Sequence, residues 1–182
     1  RVLFRSQPQE FDREPIRTRE DADLYLARLA DFGRVLDGES EGIRADAAAG
    51  VVPPDFVLAR TIGQLTSLRD TAAASLIDGP SGRAVTAGLS GVPPMARKVL
   101  DQHVSPALIR QIGALEALRP KAGSDGGVWR QPDGEAWYAL GLRSNTTIRM
   151  PPEEMHALGL DVFRDLQAEL DSLLKEIGRA HV

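Results

Sequence analysis

The chain contains one Glu-x-x-His spacing, from Glu153 to His156. On a helix this spacing puts a carboxylate and an imidazole on one face, as in carboxylate-bridged metal bundles. Such a site needs a second copy of the spacing and further Glu ligands from partner helices, and the sequence shows neither. We therefore interpret Glu153 and Glu154 as acids in the first turn of a helix, where they stabilise its positive end, with a partly exposed His156 after them.

The remaining histidines, His103 and His181, lie far from His156, and the chain has no cysteine. Zinc sites use three or four clustered His, Cys or acidic ligands, and no His-Glu-x-x-His or comparable set is present. The sequence therefore predicts no metal site, no catalytic residue and no cofactor within this chain.

A Gly-rich segment at residues 123–127, GSDGG, is the next candidate. A phosphate-binding loop of this kind would end in Gly-Lys-Ser/Thr and follow a buried strand. Because both features are missing, a flexible connection between helices is the favoured interpretation.

The last candidate is a group of aromatic residues, Trp129, Trp137 and Tyr138, close in sequence to Arg143 and Thr147. Aromatic side chains with polar tips provide both apolar contact and hydrogen bonds, so this group could line a peptide-binding cleft. Large aromatic residues also commonly anchor helices against one another. The residues alone leave both interpretations open.

Composition restricts the classes of function. The 182 residues fit one domain or part of one, and 42% are hydrophobic and 26% charged, an ordinary globular mix. The net charge is −4 with scattered basic residues, so no nucleic-acid partner is expected. No apolar run approaches the ~20 residues that cross a bilayer, so no membrane span is expected.

Apolar residues recur with helical period over most of the chain. Thr18, followed by acids, is a predicted N-cap for a first helix from about Arg19. Gly50, followed by Val-Val-Pro-Pro, predicts the end of that helix. A second helix is predicted from Pro54 to the turn-forming residues 78–80.

Pro106 lies inside the apolar run at residues 95–118 and predicts a kink or break, because it removes a backbone hydrogen bond and clashes with the preceding turn. Residues 136–142 predict a short helix, because their large side chains do not alternate as in a strand. Pro151 and Pro152 suit the first turn of a last helix. That helix carries an apolar stripe of Met155, Val162, Leu166, Leu170 and Leu173. Together these elements predict an all-α, multi-helix array.

Several blocks of the sequence resemble, in order, the bacterial domain of unknown function 885 family. They are RTREDADLYLARLADF, VVPPDFVLARTIGQL, and GVWRQPDGEAWYALGLRSNTT followed by PPEEMHALGL. The last block is the specific one, although Met150 stands where a small capping residue such as Thr is expected. The family resembles helical zinc carboxypeptidases in general plan, with a His-Glu pair and a following His downstream as metal ligands and the Glu activating water.

The resemblance implies that this chain is part of a larger helical, metallopeptidase-like domain and is inactive alone. It would supply scaffold and one wall of a peptide-substrate cleft, bordered by Tyr138, Arg143 and Thr147. Zinc is implied for the longer parent protein and not for this chain. Because a part of a larger helical domain leaves apolar helix faces without their partners, the chain is expected to self-associate through these faces. The alternative is a non-enzymatic helical interaction module, whose exposed apolar stripes bind other helices.

Both ends of the chain can be encoded by one DNA sequence and its reverse complement, which resembles a sequencing adapter. Residues 1–6 and 176–182 are therefore interpreted as foreign additions. Residues 7–175 are expected to form an incomplete single helical domain. Without a native N-terminus, no cellular compartment is predicted.

Overall fold

The computed structural model describes Phe11 and residues 13–180, with side chains as far as residue 178. This part of the chain is predominantly helical and contains no strand, which confirms the predicted all-α class. It forms two compact units, one ending at Gly126 and the other beginning at Gly127. The limits predicted for the natural domain, residues 7–175, stay a prediction.

Helix α1 (Arg19–Ala48) begins where the sequence predicts. The Thr18 hydroxyl accepts a hydrogen bond from the backbone N–H of Asp21 at 3.1 Å, and the Asp21 carboxylate accepts one from the backbone N–H of Thr18 at 2.9 Å. This reciprocal capping satisfies two N–H groups that have no partner inside the helix. The helix ends just before Gly50, whose φ of 85° is left-handed and therefore suits glycine.

Helix α2 (Asp55–Asp70) is followed by a π-helical turn (Ala74–Asp78) and helix α3 (Gly79–Thr86). The predicted end of the second helix at residues 78–80 is wrong, since Asp78 and Gly79 both have right-handed helical dihedrals. Pro80 instead lies in the first turn of α3, where its missing N–H is tolerated. The chain leaves α2 earlier, at Thr71.

The α-helical pattern is interrupted before Pro106, where the sequence predicts a kink or break. Helix α4 (Val92–Val99) leads through a second π-helical turn (Leu100–Val104) into helix α5 (Ser105–Glu116), with right-handed helical dihedrals throughout and Pro106 in the first turn of α5. Pro106 cannot donate to the carbonyl four residues earlier and its ring would strike that carbonyl. The wider π turn provides the space that a continuous α-helix would lack.

The hydrophobic core lies in the first unit, mainly between α1, α5 and the second π turn. Tyr25 of α1 is fully buried, and its hydroxyl donates to the carbonyl of Leu76 at 2.9 Å. Further along α1, a Cβ on Gly33 would lie only 2.7 Å from the backbone oxygen of His103. The absence of a side chain at Gly33 therefore allows α1 to approach the π turn closely. All buried apolar side chains of the described chain precede residue 119.

The second unit contains a 3₁₀ turn (Val128–Arg130), helix α6 (Gly134–Thr146) and helix α7 (Pro152–Ala180). Both the short helix and the start of the last helix are thereby confirmed. A Cβ on Gly134 would lie 2.2 Å from the carbonyl oxygen of Val128, so only glycine fits against the 3₁₀ turn. Among the described residues, no helix has the length and apolar character needed to cross a membrane.

Candidate substrate-binding surface

Tyr138 lies on α6 and is half exposed. It lines a hollow of about 290 Å³ between α6 and the first turns of α7. Leu142 follows one helical turn later, and Met155 and His156 face them from α7. The hollow thus combines a phenol and an imidazole with apolar walls, a mixture suited to hydrogen-bonding one polar group of a largely apolar ligand.

Arg143 lines a different and larger hollow, of about 540 Å³. Five residues advance a helix by about 140° around its axis, so Arg143 lies on another side of α6 from Tyr138. The larger hollow is completed by the chain after α6, including Ile148 and Arg149. Leu142 and Pro152 line both hollows, which therefore adjoin. The structure brings Tyr138 and Arg143 into neighbouring hollows and not into one.

Thr147 lines neither hollow, and its role in the structure is to end α6. It ends α6 with a left-handed φ of 61°, and its N–H donates to the carbonyl of Arg143 at 2.9 Å. Its hydroxyl donates to the carbonyl of Thr146 at 2.6 Å. A β-branched residue in this conformation is strained, at a cost of about 1–3 kcal/mol. The strained residue forms the turn after α6, and this turn precedes Arg149, which lines the larger hollow.

Neither tryptophan is a core anchor in this structure. Trp129 is 74% exposed and Trp137 is 56% exposed. The loss of about 3–5 kcal/mol expected for truncating a buried tryptophan therefore does not apply to Trp137. The exposed rings are available for contact with another molecule or another part of a longer chain.

The other candidate groups have structural roles here. Glu153 and Glu154 lie in the first turn of α7, as predicted. The described residues contain no group of three or more potential metal ligands. In the Gly-rich segment, the carbonyl of Gly123 accepts a hydrogen bond from the backbone N–H of Asp55 at 3.0 Å, so this segment contacts the start of α2.

Sequence reasoning missed Arg149. Nothing in the local sequence distinguishes it from the other arginines, because its position depends on the left-handed conformation of Thr147, which a β-branched residue rarely adopts. Arg143 and Arg149 form no ion pair within the part of the chain that the structure describes.

An apolar stripe runs along the exposed surface of α7. Its side chains are each roughly half exposed along the described helix. They include Leu158, Val162, Phe163, Leu166, Leu170, Leu173, Leu174 and Ile177. Exposed apolar surface on this scale is typical of a contact face.

These features define an all-helical protein with a compact core unit and a second unit that exposes apolar hollows and one long apolar helix face. Over residues 4–182 the chain matches the family model described as "Bacterial protein of unknown function (DUF885)", and it belongs to that family.

A solved structure also resembles the chain, the crystal structure of the "putative lipoprotein from Colwellia psychrerythraea". The similarity has a TM-score of 0.85 at 23% sequence identity and covers 94% of this chain, which establishes a common fold. The chain spans only 31% of the length of that protein. A comparison with curated proteins gives no match.

Proposed function

We propose that this chain is one part of a longer bacterial zinc-dependent peptidase, in which it supplies scaffold and one wall of the substrate cleft. The observation that carries the proposal is the pair of adjoining hollows on α6 and α7, which are lined by a tyrosine, a histidine and two arginines beside apolar residues. Family membership and the much greater length of the solved relative support it.

In this proposal, zinc would be held elsewhere in the longer protein by the His of a His-Glu pair, a following His and a later carboxylate or His, and the Glu of the pair would activate the bound water. The residues of this chain bind and orient the substrate. Arg143 pairs with a substrate carboxylate through its planar fork. Tyr138 donates a hydrogen bond to a substrate carbonyl. Thr147 fixes the turn that ends α6 and so holds Arg143 in place.

The test is peptide hydrolysis by the longer natural protein, measured with and without a zinc chelator. Activity should disappear with chelator and return with added zinc. Replacing Arg143 by Gln should lower kcat/KM about 10- to 100-fold, since a charge-assisted hydrogen bond contributes about 1.5–3 kcal/mol. Tyr138→Phe should lower it by a smaller factor.

The matched control is Arg164→Gln, which removes the same charge from an exposed arginine of α7 that pairs with Asp161. It should leave kcat/KM unchanged. Hydrolysis that is insensitive to chelator, or equal activity in the Arg143 and Arg164 variants, would contradict the proposal.

A second candidate function is a non-enzymatic interaction module, favoured by the exposed apolar stripe of α7. In this case two copies of the chain would associate through their α7 faces. Sedimentation velocity should then show a dimer that Leu166→Gln and Leu170→Gln dissociate, whereas Arg164→Gln does not. A monomer at all concentrations would exclude association of two copies through their α7 faces.

A further inference from the structure

The larger hollow combines apolar walls with two positive groups. Its volume of about 540 Å³ falls within the range of about 300–1,000 Å³ typical of ligand sites. Arg143 of α6 and Arg149 of the chain that follows both line it, and both are exposed. The apolar walls are formed by Ala136, Ala139, Leu140, Ile148, Met150 and Pro151.

The turn at Thr147 explains why two arginines six positions apart line one hollow. Thr147 reverses the chain with its φ of 61°, and its N–H remains bonded to the carbonyl of Arg143 itself. Arg149 is thereby led back along α6. The turn that ends α6 therefore also brings Arg149 to the hollow that Arg143 lines.

The chemistry of the hollow favours an anion with an apolar body. Arginine is charged at every physiological pH and binds carboxylates through two parallel N–H donors. A carboxylate bound in the hollow would be attracted by both positive charges. No carboxylate of the described residues serves this purpose, because neither arginine is in an ion pair there.

We propose that this hollow binds the C-terminal residue of a peptide, with the terminal carboxylate held by Arg143 and Arg149 and an aliphatic or aromatic side chain against the apolar walls. The adjoining hollow then receives the preceding peptide unit, whose carbonyl accepts a hydrogen bond from Tyr138 or His156. This inference rests on the proposed peptidase function for its ligand class. It adds the direction of the peptide and the role of Arg149.

The experiment is calorimetric titration of the 182-residue chain with N-acetyl-leucyl-leucine and with the same dipeptide as its C-terminal amide, both at low salt. The acid should bind at least about 10-fold more tightly than the amide, because only the acid offers a carboxylate. Arg143→Gln and Arg149→Gln should each weaken binding of the acid about 10-fold. Arg149→Lys, which keeps the charge and loses the fork, should give an intermediate effect.

Arg164→Gln is again the matched control, and it should change binding less than about twofold because its partner is Asp161, outside the hollow. Circular dichroism of each variant verifies that its helix content is unchanged. Equal affinity for acid and amide, no binding of either, or an equal effect of Arg164→Gln would overturn the inference.

Hydrolysis by the longer protein separates the two proposals. If the chain binds the acid as expected and the longer protein hydrolyses no peptide, the proposed peptidase function is wrong, whereas the assignment of the hollow as a carboxylate-binding site stands. If a segment of the longer protein fills the hollow, residues 148–150 will be protected from hydrogen exchange without peptide and the added acid will not bind. That outcome would overturn the assignment of the hollow while leaving the peptidase function open to its own test.

Discussion

Gly33 offers a sharp test of how α1 packs in the first unit. A Cβ at this position would lie 2.7 Å from the backbone oxygen of His103 and 2.9 Å from its backbone carbon. Both atoms belong to the π-helical turn, so no side-chain rotation can make room for an added methyl group. Gly33→Ala must therefore push α1 and the π turn apart.

The expected magnitude follows from two opposing contributions. Alanine is about 1 kcal/mol more favourable than glycine inside a helix. Forcing an extra methyl group into a packed site typically costs about 1–3 kcal/mol, and more when backbone must move. Gly33→Ala should therefore lower the free energy of unfolding by up to about 2 kcal/mol. At Gly38 a Cβ meets nothing within 4 Å, so Gly38→Ala should raise the free energy of unfolding by the helix-propensity contribution alone, about 1 kcal/mol.

The assay is urea unfolding followed by far-ultraviolet circular dichroism, with Gly33→Ala and Gly38→Ala measured side by side. Both replacements are in α1 and change the same atoms, so their helix-propensity contributions cancel in the comparison. Gly38→Ala should be about 1–3 kcal/mol more stable than Gly33→Ala. Equal stability of the two variants would refute the close approach of α1 to the π turn.

Three further predictions concern single residues. Tyr25→Phe should lower stability by about 1 kcal/mol at neutral pH, because it removes the hydrogen bond to Leu76. Burial, aided by nearby negative charge, raises the pKa of Tyr25 above its ordinary 10.0, so the free energy of unfolding of the wild type should fall as the pH rises above 10. The Phe variant, which has no group to ionise there, should lose less stability. Parallel profiles of unfolding free energy against pH would contradict this. Gly134→Ala should reduce the helix content of the second unit, because the added Cβ would collide with the carbonyl oxygen of Val128. Gly141→Ala, on the same helix, should not reduce it, because a Cβ there meets nothing within 4 Å. Circular dichroism showing the reverse would contradict the packing of Gly134 against the 3₁₀ turn. Thr147→Gly should stabilise α6 by about 1 kcal/mol by relieving a strained φ, and a lower melting temperature would show that the strain is absent.

Local backbone chemistry made much of the fold predictable from sequence. Thr18 followed by acids identifies a helix start because a short polar side chain satisfies the first free N–H groups. Gly50 identifies a helix end because a left-handed residue is needed there and glycine adopts it without strain. Pro106 identifies an interruption of the α-helical hydrogen bonds because it lacks the backbone N–H that would donate. Each of these signals acts over one turn, so tertiary contacts do not override it.

Residues 78–80 show where this reasoning fails. A Gly-Pro pair is compatible both with a turn between helices and with the first turn of a helix that continues. The choice depends on the π turn (Ala74–Asp78), which is stabilised by packing of the buried Leu76 and Ile77 and has no local sequence signal. The hydrogen bond from Tyr25 to Leu76 adds a contact from a residue 51 positions away.

The candidate site was predictable only in part, for a similar reason. Sequence proximity grouped Tyr138 with Arg143, but the helical turn angle puts them in neighbouring hollows. Arg149 joins Arg143 only because Thr147 adopts a conformation that its β-branched side chain disfavours. A strained residue at the end of α6 is therefore the feature that brings both arginines to one hollow, and strain of this kind is concentrated at functional sites.

The two units differ in how their apolar surface is used, and this difference bears on function. The first unit contains every buried apolar side chain of the described chain, so it has a core of its own. In the second unit the large apolar side chains of α6 and α7 remain about half exposed. Burial contributes roughly 25 cal/mol for each Å² removed from water, so the second unit gains little stability from its own contacts. Its helices are consequently expected to gain further stability from apolar contacts beyond the unit.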